Sequence, residues 1–318
     1  MKRLLCALCA LLFLAGCAPV TPDPVEDTLT ITATTYPVYL LALSVTREIP
    51  GVRVERLDTG SVSCLHDYTL SVRDMKKIER ADVLTISGAG LEDFMSDALA
   101  ATNAHVIDCS VGVDLLPAAG HHDHDHEHEH EHGHFDPHYW LDPVNMETML
   151  ETLRQGLCSL LPDHTAALST NAELAQQQLR ACAQQLLACG QSLTDIPGLI
   201  TFHDGFQYFA NVLGLPLLRS IEEEAGSEAS AKEIVAITAL IKERNIPVIF
   251  TEVNGSDATA QAIRRETSCQ VAALSMLMDG REPTAHDPSP IAPYTEAILS
   301  NVEAILTGFS GTGGVHLT

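Results

Sequence analysis

The chain has 318 residues, of which 18 are Lys or Arg and 42 are Asp or Glu, and its formal charge is −24. A surface this acidic repels nucleic acids and anionic lipids, so neither is an expected partner, but it is compatible with attracting cations. The length exceeds that of a usual single domain and predicts two.

The first seventeen residues are typical of a bacterial lipoprotein signal. Lys2 and Arg3 precede an apolar run over 4–14, which is shorter than the roughly 20 residues that a membrane-spanning helix needs. The run ends in Leu-Ala-Gly-Cys at 14–17. We therefore expect a mature protein that begins at a lipidated Cys17, continues through a tether over 18–28, and is held at the outer face of the cell membrane by the lipid alone. An ordinary secreted protein is the alternative.

From residue 29 onward, short apolar strands alternate with amphipathic helices. Strands are predicted at Leu29–Thr34, Val52–Leu57, Ala81–Ser87, His105–Cys109, Leu199–Phe202, Leu215–Ile221, Pro247–Thr251 and Val271–Leu274. Helices are predicted at Tyr36–Glu48, Ser71–Glu79, Leu91–Ala100, Pro143–Leu160, Gly205–Leu213, Ser230–Arg244, Asp257–Thr267 and Pro293–Leu306. This alternation favours βαβ units with mostly parallel sheets.

One much longer helix is predicted between the two halves, capped by Asp163 and ended by Gly190. Its length, about 40 Å at 1.5 Å per residue, is typical of a rigid spine. The predicted fold is therefore α/β, with an N-terminal lobe over 29–142, connecting helices over 143–190 and a C-terminal lobe over 191–318. Ligands of open α/β sheets bind beyond the carboxyl ends of the strands, so we expect the site in the cleft between the lobes.

A low-complexity insert over 120–134 interrupts the first lobe. It contains eight histidines and five carboxylates within fourteen residues. The histidines are His121, His122, His124, His126, His128, His130, His132 and His134. Imidazole with carboxylate suits Zn²⁺, Cu²⁺ and Ni²⁺. Because the insert has no apolar residues with which to fold, we expect weak, multiple and exchangeable metal binding there, auxiliary to one ordered site.

Three further histidines fall in loops that border the expected cleft. His66 follows the second strand, His138 lies between the insert and a helix, and His203 follows the strand at 199–202. Asp279 and Glu252 follow or end two other strands of the second lobe. Three imidazoles and one carboxylate form a four-ligand site typical of Zn²⁺, with Asp279 as the fourth ligand and Glu252 in a supporting or steering role.

The motifs around these residues resemble those of the zinc/manganese solute-binding proteins of ABC transporters, the cluster A-I family. The resemblance rests on HDYTLSVRD, DPHYWLDP, FHDGFQYFANVLGL, FTEVN and MDG, in the family's order. It implies two Rossmann-like lobes on a backbone helix, with limited hinge motion on metal loading. It also implies that His66, His138 and His203 are ligands, that Asp279 is the fourth ligand as in some members, and that Glu252 is the family's strand-end glutamate.

The expected function is capture of Zn²⁺ for delivery to the permease of an ABC importer, by a monomer without enzymatic activity. Three imidazoles exceed what the harder Mn²⁺ usually prefers, although a manganese receptor remains the main alternative. A surface metal buffer or chaperone and, least favoured, a secreted zinc hydrolase are the others. Water in place of Asp279 is a further alternative for the fourth position, and some members of the family are also called adhesins.

Six cysteines remain after the signal and the lipidated position: Cys64, Cys109, Cys158, Cys182, Cys189 and Cys269. Their spacing matches no zinc motif, and their pairing is open. A disulfide between Cys64 and Cys109 is one hypothesis, because both lie at carboxyl ends of strands in the same lobe. A free Cys64 that acts as a soft metal ligand is the other.

Overall fold

The computed structural model of the protein describes residues 28–59, 65, 68–118, 135–222, 229–253 and 255–310. The predicted lipid-bearing Cys17, the predicted ligand His66 with its neighbour Cys64, and the eight histidines of the insert lie outside these residues.

Eight strands form two four-stranded sheets in which every pairing is parallel. The first sheet contains β1 (Leu29–Ala33), β2 (Val52–Arg56), β3 (Val83–Ile86) and β4 (His105–Asp108) in the order β2-β1-β3-β4. The second contains β5 (Leu199–His203), β6 (Leu217–Glu222), β7 (Val248–Glu252) and β8 (Gln270–Leu274) in the equivalent order β6-β5-β7-β8. The predicted class, two α/β lobes with parallel sheets, is confirmed.

The α-helices of the described residues follow the predicted alternation. They are α1 (Tyr36–Val45), α2 (Val72–Glu79), α3 (Ser96–Ala101), α4 (Pro143–Leu160), α5 (Thr165–Ser192), α6 (Gln207–Val212), α7 (Ala231–Arg244), α8 (Ala258–Thr267) and α9 (Ala292–Ser310). Capping boxes at Ser71 and Ser230 begin α2 and α7. The helix predicted at Leu91–Ala100 is instead a 3₁₀ turn over Asp93–Met95 followed by the short α3. Among the described helices, none combines the length and apolar character that a bilayer span requires.

The predicted spine is α5, which is 28 residues long and packs against α1, α4 and α9. Its predicted ends were wrong. Asp163 belongs to a separate 3₁₀ turn, and the helix continues past Gly190 to Ser192. Gly190 has another role, since a Cβ at this position would lie 2.6 Å from the carbonyl oxygen of Leu213. The glycine therefore allows close approach of the segment after α6, and it does not end the helix.

Each sheet has a point at which successive connections leave in opposite directions, between β1 and β3 in the first and between β5 and β7 in the second. Open α/β sheets bind ligands at this point, beyond the carboxyl ends of the strands. His203 is the last residue of β5 and Glu252 is the last residue of β7. The fold therefore places these two predicted site residues on either side of the switch point of the second sheet.

The cysteines within the described ranges, namely Cys109, Cys158, Cys182, Cys189 and Cys269, are free thiols. Cys109 is fully buried, and burial raises the pKa of its thiol well above the usual value. The hypothesis of a Cys64–Cys109 disulfide was therefore wrong for this structure.

The contact at Gly190 gives a stability prediction. Replacing glycine by alanine inside a helix ordinarily stabilises it by about 1 kcal/mol. Gly190→Ala should instead lower the free energy of unfolding by about 1–3 kcal/mol, because its Cβ meets a backbone carbonyl that cannot move without shifting the segment after α6. Urea denaturation followed by circular dichroism measures the change. Gly156→Ala in α4 is the matched control, since the three atoms nearest to its Cβ all belong to the flexible side chain of Ile107, and it should cost less. A Gly190→Ala protein as stable as the unsubstituted one would contradict the prediction.

Candidate metal centre

His203 is positioned by a strand that is buried along its whole length. All five residues of β5, Leu199–His203, are buried, and the imidazole of His203 follows Phe202 at the carboxyl end of the sheet. The strand is held on both sides, by β6 and β7. A histidine in this position has little freedom to move, because its backbone belongs to the centre of a parallel sheet.

His138 is positioned by the segment 136–141, which contacts both lobes. Tyr139 donates through its hydroxyl to the carbonyl of Ser87 at the end of the first sheet. Trp140 donates through Nε1 to the carbonyl oxygen of Met276 in the second lobe, at 2.9 Å. His138, Tyr139 and Trp140 are all buried. These bonds fix the segment between the lobes and direct His138 into the cleft.

The two histidines meet with their Nε2 atoms 3.3 Å apart. Their rings are nearly perpendicular, with an interplanar angle of 88° and centroids 5.0 Å apart. A tetrahedral zinc ion with Zn–N bonds of 2.0–2.1 Å places two ligand nitrogens about 3.3–3.4 Å apart. The observed Nε2–Nε2 distance therefore matches the distance between two nitrogen ligands of a tetrahedral zinc ion.

A carboxylate lies behind each imidazole. Asp136 accepts hydrogen bonds at Oδ1 from the backbone N–H of His138, at 2.9 Å, and from its ring Nδ1, at 2.8 Å. Glu252 places Oε1 3.6 Å from Nδ1 of His203. Glu252 lies near Nδ1 of His203 but beyond hydrogen-bond distance. The hydrogen bond to Asp136 selects the tautomer of His138 whose Nε2 carries the lone pair. Nε2 of His138 is thus prepared to bind a cation, and Nε2 of His203 lies 3.3 Å from it.

Gly205 allows the two histidines to approach each other. A Cβ at this position would lie 2.9 Å from both His138 Cγ and His203 Cδ2, and still closer to Cε of Met276. Any side chain at 205 would therefore displace a site imidazole or the neighbouring methionine. Glycine in the sequence FHDGF is required by this close packing.

Asp279 lies on the segment after β8 and bonds to the first lobe. Its Oδ1 accepts from Nη2 of Arg56, at 2.9 Å, and from the backbone N–H of Gly280, at 2.8 Å. The Asp279 side chain is 45% exposed, unlike the two buried histidines. The structure thus places Asp279 in an ion pair across the cleft, and no contact between its carboxylate and the two imidazoles is present.

Glu92 is another buried carboxylate at the end of the first sheet, but it serves the fold. Its oxygens accept from Thr34 Oγ1 and from the backbone N–H groups of Ser87 and Gly88. Burial raises the pKa of Glu92 to about 7, opposed by these three donors. These three donors all belong to the first lobe, so Glu92 ties together the segments at the end of that sheet.

The structure therefore brings together His138, His203 and Glu252 of the predicted set and holds Asp279 at an ion pair with Arg56. The ligand role of His66 stays a prediction, because this residue is outside the described part of the chain. Within the described ranges, no group of three or more His, Cys, Asp or Glu side chains is placed to hold a metal ion.

Three residues of the site were missed from the sequence. Asp136 was inside a quoted motif, and its position two residues before a candidate histidine was a usable signal for a supporting carboxylate. Gly205, two residues after His203, was a weaker signal for close packing. No sequence signal pointed to Arg56, since its partner Asp279 is 223 residues away in sequence.

Comparison with known proteins places the chain in a family. The family model for the zinc-uptake complex component A, periplasmic (ZnuA), matches residues 31–308. The zinc-binding lipoprotein AdcA of Streptococcus pneumoniae serotype 4 is 28% identical over 314 residues, which cover 95% of this chain and 59% of that protein. This chain thus spans about three fifths of the length of that relative.

Solved structures share the fold. Zn(II)-bound AdcA from Streptococcus pneumoniae is 26% identical with a TM-score of 0.70, covering 87% of this chain and 57% of that one. The solute-binding protein FpvC from Pseudomonas aeruginosa, in complex with Mn²⁺, is 24% identical with a TM-score of 0.73, covering 90% of this chain and 100% of that one. Proteins of this fold are therefore known in complex with more than one metal.

The contact between Asp136 and His138 gives a binding prediction. Asp136→Ala should weaken zinc binding about 10- to 100-fold, because His138 loses the group that fixes its tautomer and ring orientation. Asp136→Asn retains an acceptor oxygen and should lose less. Isothermal titration of the metal-stripped protein measures both. Asp142→Asn removes the same charge six residues further along, where the side chain caps α4, and should leave the affinity unchanged. Equal affinities for Asp136→Ala and the unsubstituted protein would show that the contact has no role in binding.

Proposed function

Because the chain belongs to the ZnuA family of zinc-uptake complex components, we propose that it captures Zn²⁺ outside the cytoplasm and delivers it to the permease of an ABC importer. The observation that carries this proposal is the 3.3 Å separation of the Nε2 atoms of His138 and His203, with a carboxylate near each Nδ1. This arrangement suits the binding of a borderline cation such as Zn²⁺ by two neutral imidazoles.

The proposed ligands are His66, His138, His203 and Asp279. Leu65, which immediately precedes His66 in sequence, is fully buried in the same hydrophobic core as Tyr139 and Phe206. That position supports a third imidazole from the first lobe. Asp279 supplies the fourth ligand in this proposal, with Glu252 orienting His203 from behind.

Zinc is the proposed cargo in preference to manganese. Three nitrogen ligands and one carboxylate favour a borderline ion, whereas Mn²⁺ prefers more oxygen ligands and a higher coordination number. The relative AdcA is named for zinc, although the similar fold of FpvC was solved with Mn²⁺. A closed four-ligand site also suits capture better than hydrolysis, which requires an open position for water.

The His-rich insert is proposed to collect zinc and pass it to this site. Its flanking residues Pro117 and Phe135 form an antiparallel bridge, and Asp136 donates from its backbone N–H to the carbonyl of Leu116 at 2.9 Å. The insert therefore leaves and returns at one point, three residues before His138. Metal bound weakly by the insert would be released close to the ordered site.

The proposed location is the outer face of the cell membrane, where a lipid on Cys17 would anchor a monomer. The relative AdcA is named a lipoprotein, and the matching family is described as periplasmic. The anchor would keep the receptor near its permease while the lobes remain outside the bilayer.

Substitution of a buried histidine tests the function. His203→Ala should lower zinc affinity at least about 100-fold, since it removes one of four ligands and leaves Glu252 beside an empty position. Calorimetric titration of the metal-stripped mature protein with Zn²⁺ and with Mn²⁺ measures this. His105→Ala is the control, because His105 is exposed at the start of β4 and should have no effect. Tight zinc binding that survives in His203→Ala would refute the proposed site, and tighter binding of Mn²⁺ than of Zn²⁺ by the unsubstituted protein would refute the proposed cargo.

Deletion of the insert tests its auxiliary role. Removing residues 120–133 should abolish the weak zinc sites and leave one tight site, because the described ligands lie outside the insert. The stoichiometry of zinc binding in equilibrium dialysis measures the change. Loss of the tight site on deletion would make the insert the primary site and favour a surface metal buffer over a transport receptor.

A further inference from the structure

Residues 116–117 and 135–136 form the neck of the His-rich insert, from which the insert leaves and to which it returns. Pro117 and Phe135 form an antiparallel bridge, and the backbone N–H of Asp136 donates to the carbonyl oxygen of Leu116 at 2.9 Å. Holding together the two ends of a long insertion costs conformational entropy. Contacts from outside the neck therefore help to keep it closed.

Tyr208 supplies such a contact from the second lobe. Its hydroxyl accepts from the backbone N–H of Leu116, at 2.7 Å, and donates to the carbonyl oxygen of Asp136, at 3.0 Å. One oxygen atom thus bonds to both arms of the neck. Burial raises the pKa of Tyr208 to about 12, so the hydroxyl keeps the proton that it donates.

The position of Tyr208 is itself fixed beside the two site histidines. Tyr208 lies on α6, which follows His203 directly after the turn that contains Gly205. Its ring is buried and packs edge-on against the ring of Tyr139, with the centroids 6.5 Å apart. Tyr139 is the neighbour of His138 in sequence. The hydroxyl therefore reaches the neck from a part of the second lobe that also carries His203.

The hydrogen bonds of Asp136 connect the neck to His138. The backbone of Asp136 is held at its N–H by Leu116 and at its carbonyl oxygen by Tyr208. Its Oδ1 accepts from the backbone N–H and from the ring Nδ1 of His138, at 2.9 and 2.8 Å. A carboxylate on a backbone held from both sides has a fixed direction, and it fixes the imidazole that donates to it. The orientation of His138 therefore depends on the closed neck.

From these contacts we infer that Tyr208 is a positioning residue, which holds the neck of the insert closed and thereby keeps Asp136 against His138. Without the hydroxyl, the N–H of Leu116 and the carbonyl oxygen of Asp136 lose their shared partner, and opening of the neck to water then costs less free energy. The inference rests on the proposed function, in which His138 binds zinc beside the insert. It adds a residue of the second lobe that links the insert to this histidine.

Tyr208→Phe tests the inference, because it removes one oxygen atom and keeps the ring. The protein is the metal-stripped mature chain in detergent, isotope-labelled for NMR and studied at pH about 8, well above the ordinary pKa of imidazole. The first readout is solvent exchange of the Asp136 amide, which bonds to Leu116 and not to Tyr208 and therefore reports opening of the neck. The second readout is the pair of ring nitrogen shifts of His138, which report its tautomer and are assigned with His138→Gln.

We expect Tyr208→Phe to speed exchange of the Asp136 amide about tenfold, because the neck loses two hydrogen bonds. We also expect His138 to change from the tautomer protonated at Nδ1 to a mixture of both tautomers. Tyr36→Phe is the matched control, since Tyr36 is also buried and its hydroxyl also joins the lobes, donating to the carbonyl oxygen of Arg281 at 2.6 Å. It should change neither readout.

Amides far from the neck distinguish a local opening from a general loss of stability. The N–H of Thr34 bonds to the carbonyl oxygen of Thr85 in the first lobe, and that of Val253 bonds to Leu274 in the second, both at 3.0 Å. Exchange of these two amides should be unchanged in Tyr208→Phe. If they accelerate by the same factor as Asp136, Tyr208 only stabilises the fold and the inference is overturned.

The outcomes keep the inference apart from the proposed function, because both readouts are taken without metal. Unchanged exchange of the Asp136 amide in Tyr208→Phe overturns the inference, and so does faster exchange with His138 still in a single tautomer. Either result leaves the proposed capture of zinc standing. Absence of tight zinc binding by the unsubstituted protein, measured by separate titration with Zn²⁺, overturns the proposed function whatever the two readouts show.

Discussion

The site depends on the fixation of one short segment, residues 136–141, between two lobes. Tyr139 of this segment bonds to the end of the first sheet, and Trp140 bonds to the second lobe. Tyr294 donates to the carbonyl oxygen of Trp140 at 2.8 Å. His138 is carried on this segment, so its position is set by both lobes at once. His203 belongs to the second sheet alone. The 3.3 Å approach of their Nε2 atoms therefore exists only while the lobes keep this arrangement.

Burial of these groups explains why the arrangement favours a cation. The carboxylates of Asp136 and Glu252 are almost completely buried beside the imidazoles of His138 and His203. A neutral imidazole offers a carboxylate no positive charge. An ionised carboxylate in such surroundings lacks the hydration that it has in water, and this costs free energy unless opposite charge is near. Asp136 is partly compensated by the two N–H groups of His138 from which it accepts. In the proposed site, a divalent ion bound at the Nε2 atoms would add positive charge beside both carboxylates.

Many positions of the site were predictable from the sequence, because they follow from local patterns along the chain. Contacts between distant parts of the chain leave no such pattern and were not predictable. Strand ends in a parallel sheet lie at one edge, so the positions of His203 and Glu252 followed from recognising β5 and β7. The contact between Arg56 and Asp279 could not be predicted, because no local pattern relates residues in different lobes. The prediction that Gly190 ends the long helix was wrong for a related reason. Glycine commonly ends helices, but here the approach of Leu213 requires it inside the last turn.

The proposed ligands His138, His203 and Asp279 are held in different ways, and this decides what each could contribute. The buried histidines are fixed by sheet and core, so they would present nearly the same nitrogen geometry to any divalent ion. Asp279 is half-exposed on a segment after β8, and its position is set by Arg56 from the other lobe. Because affinity along the first-row metals rises toward copper for any given nitrogen site, rigid imidazoles alone discriminate poorly against competing ions. Discrimination between ions must then come from features other than these two nitrogens, such as the number and geometry of the remaining ligands and the availability of each metal.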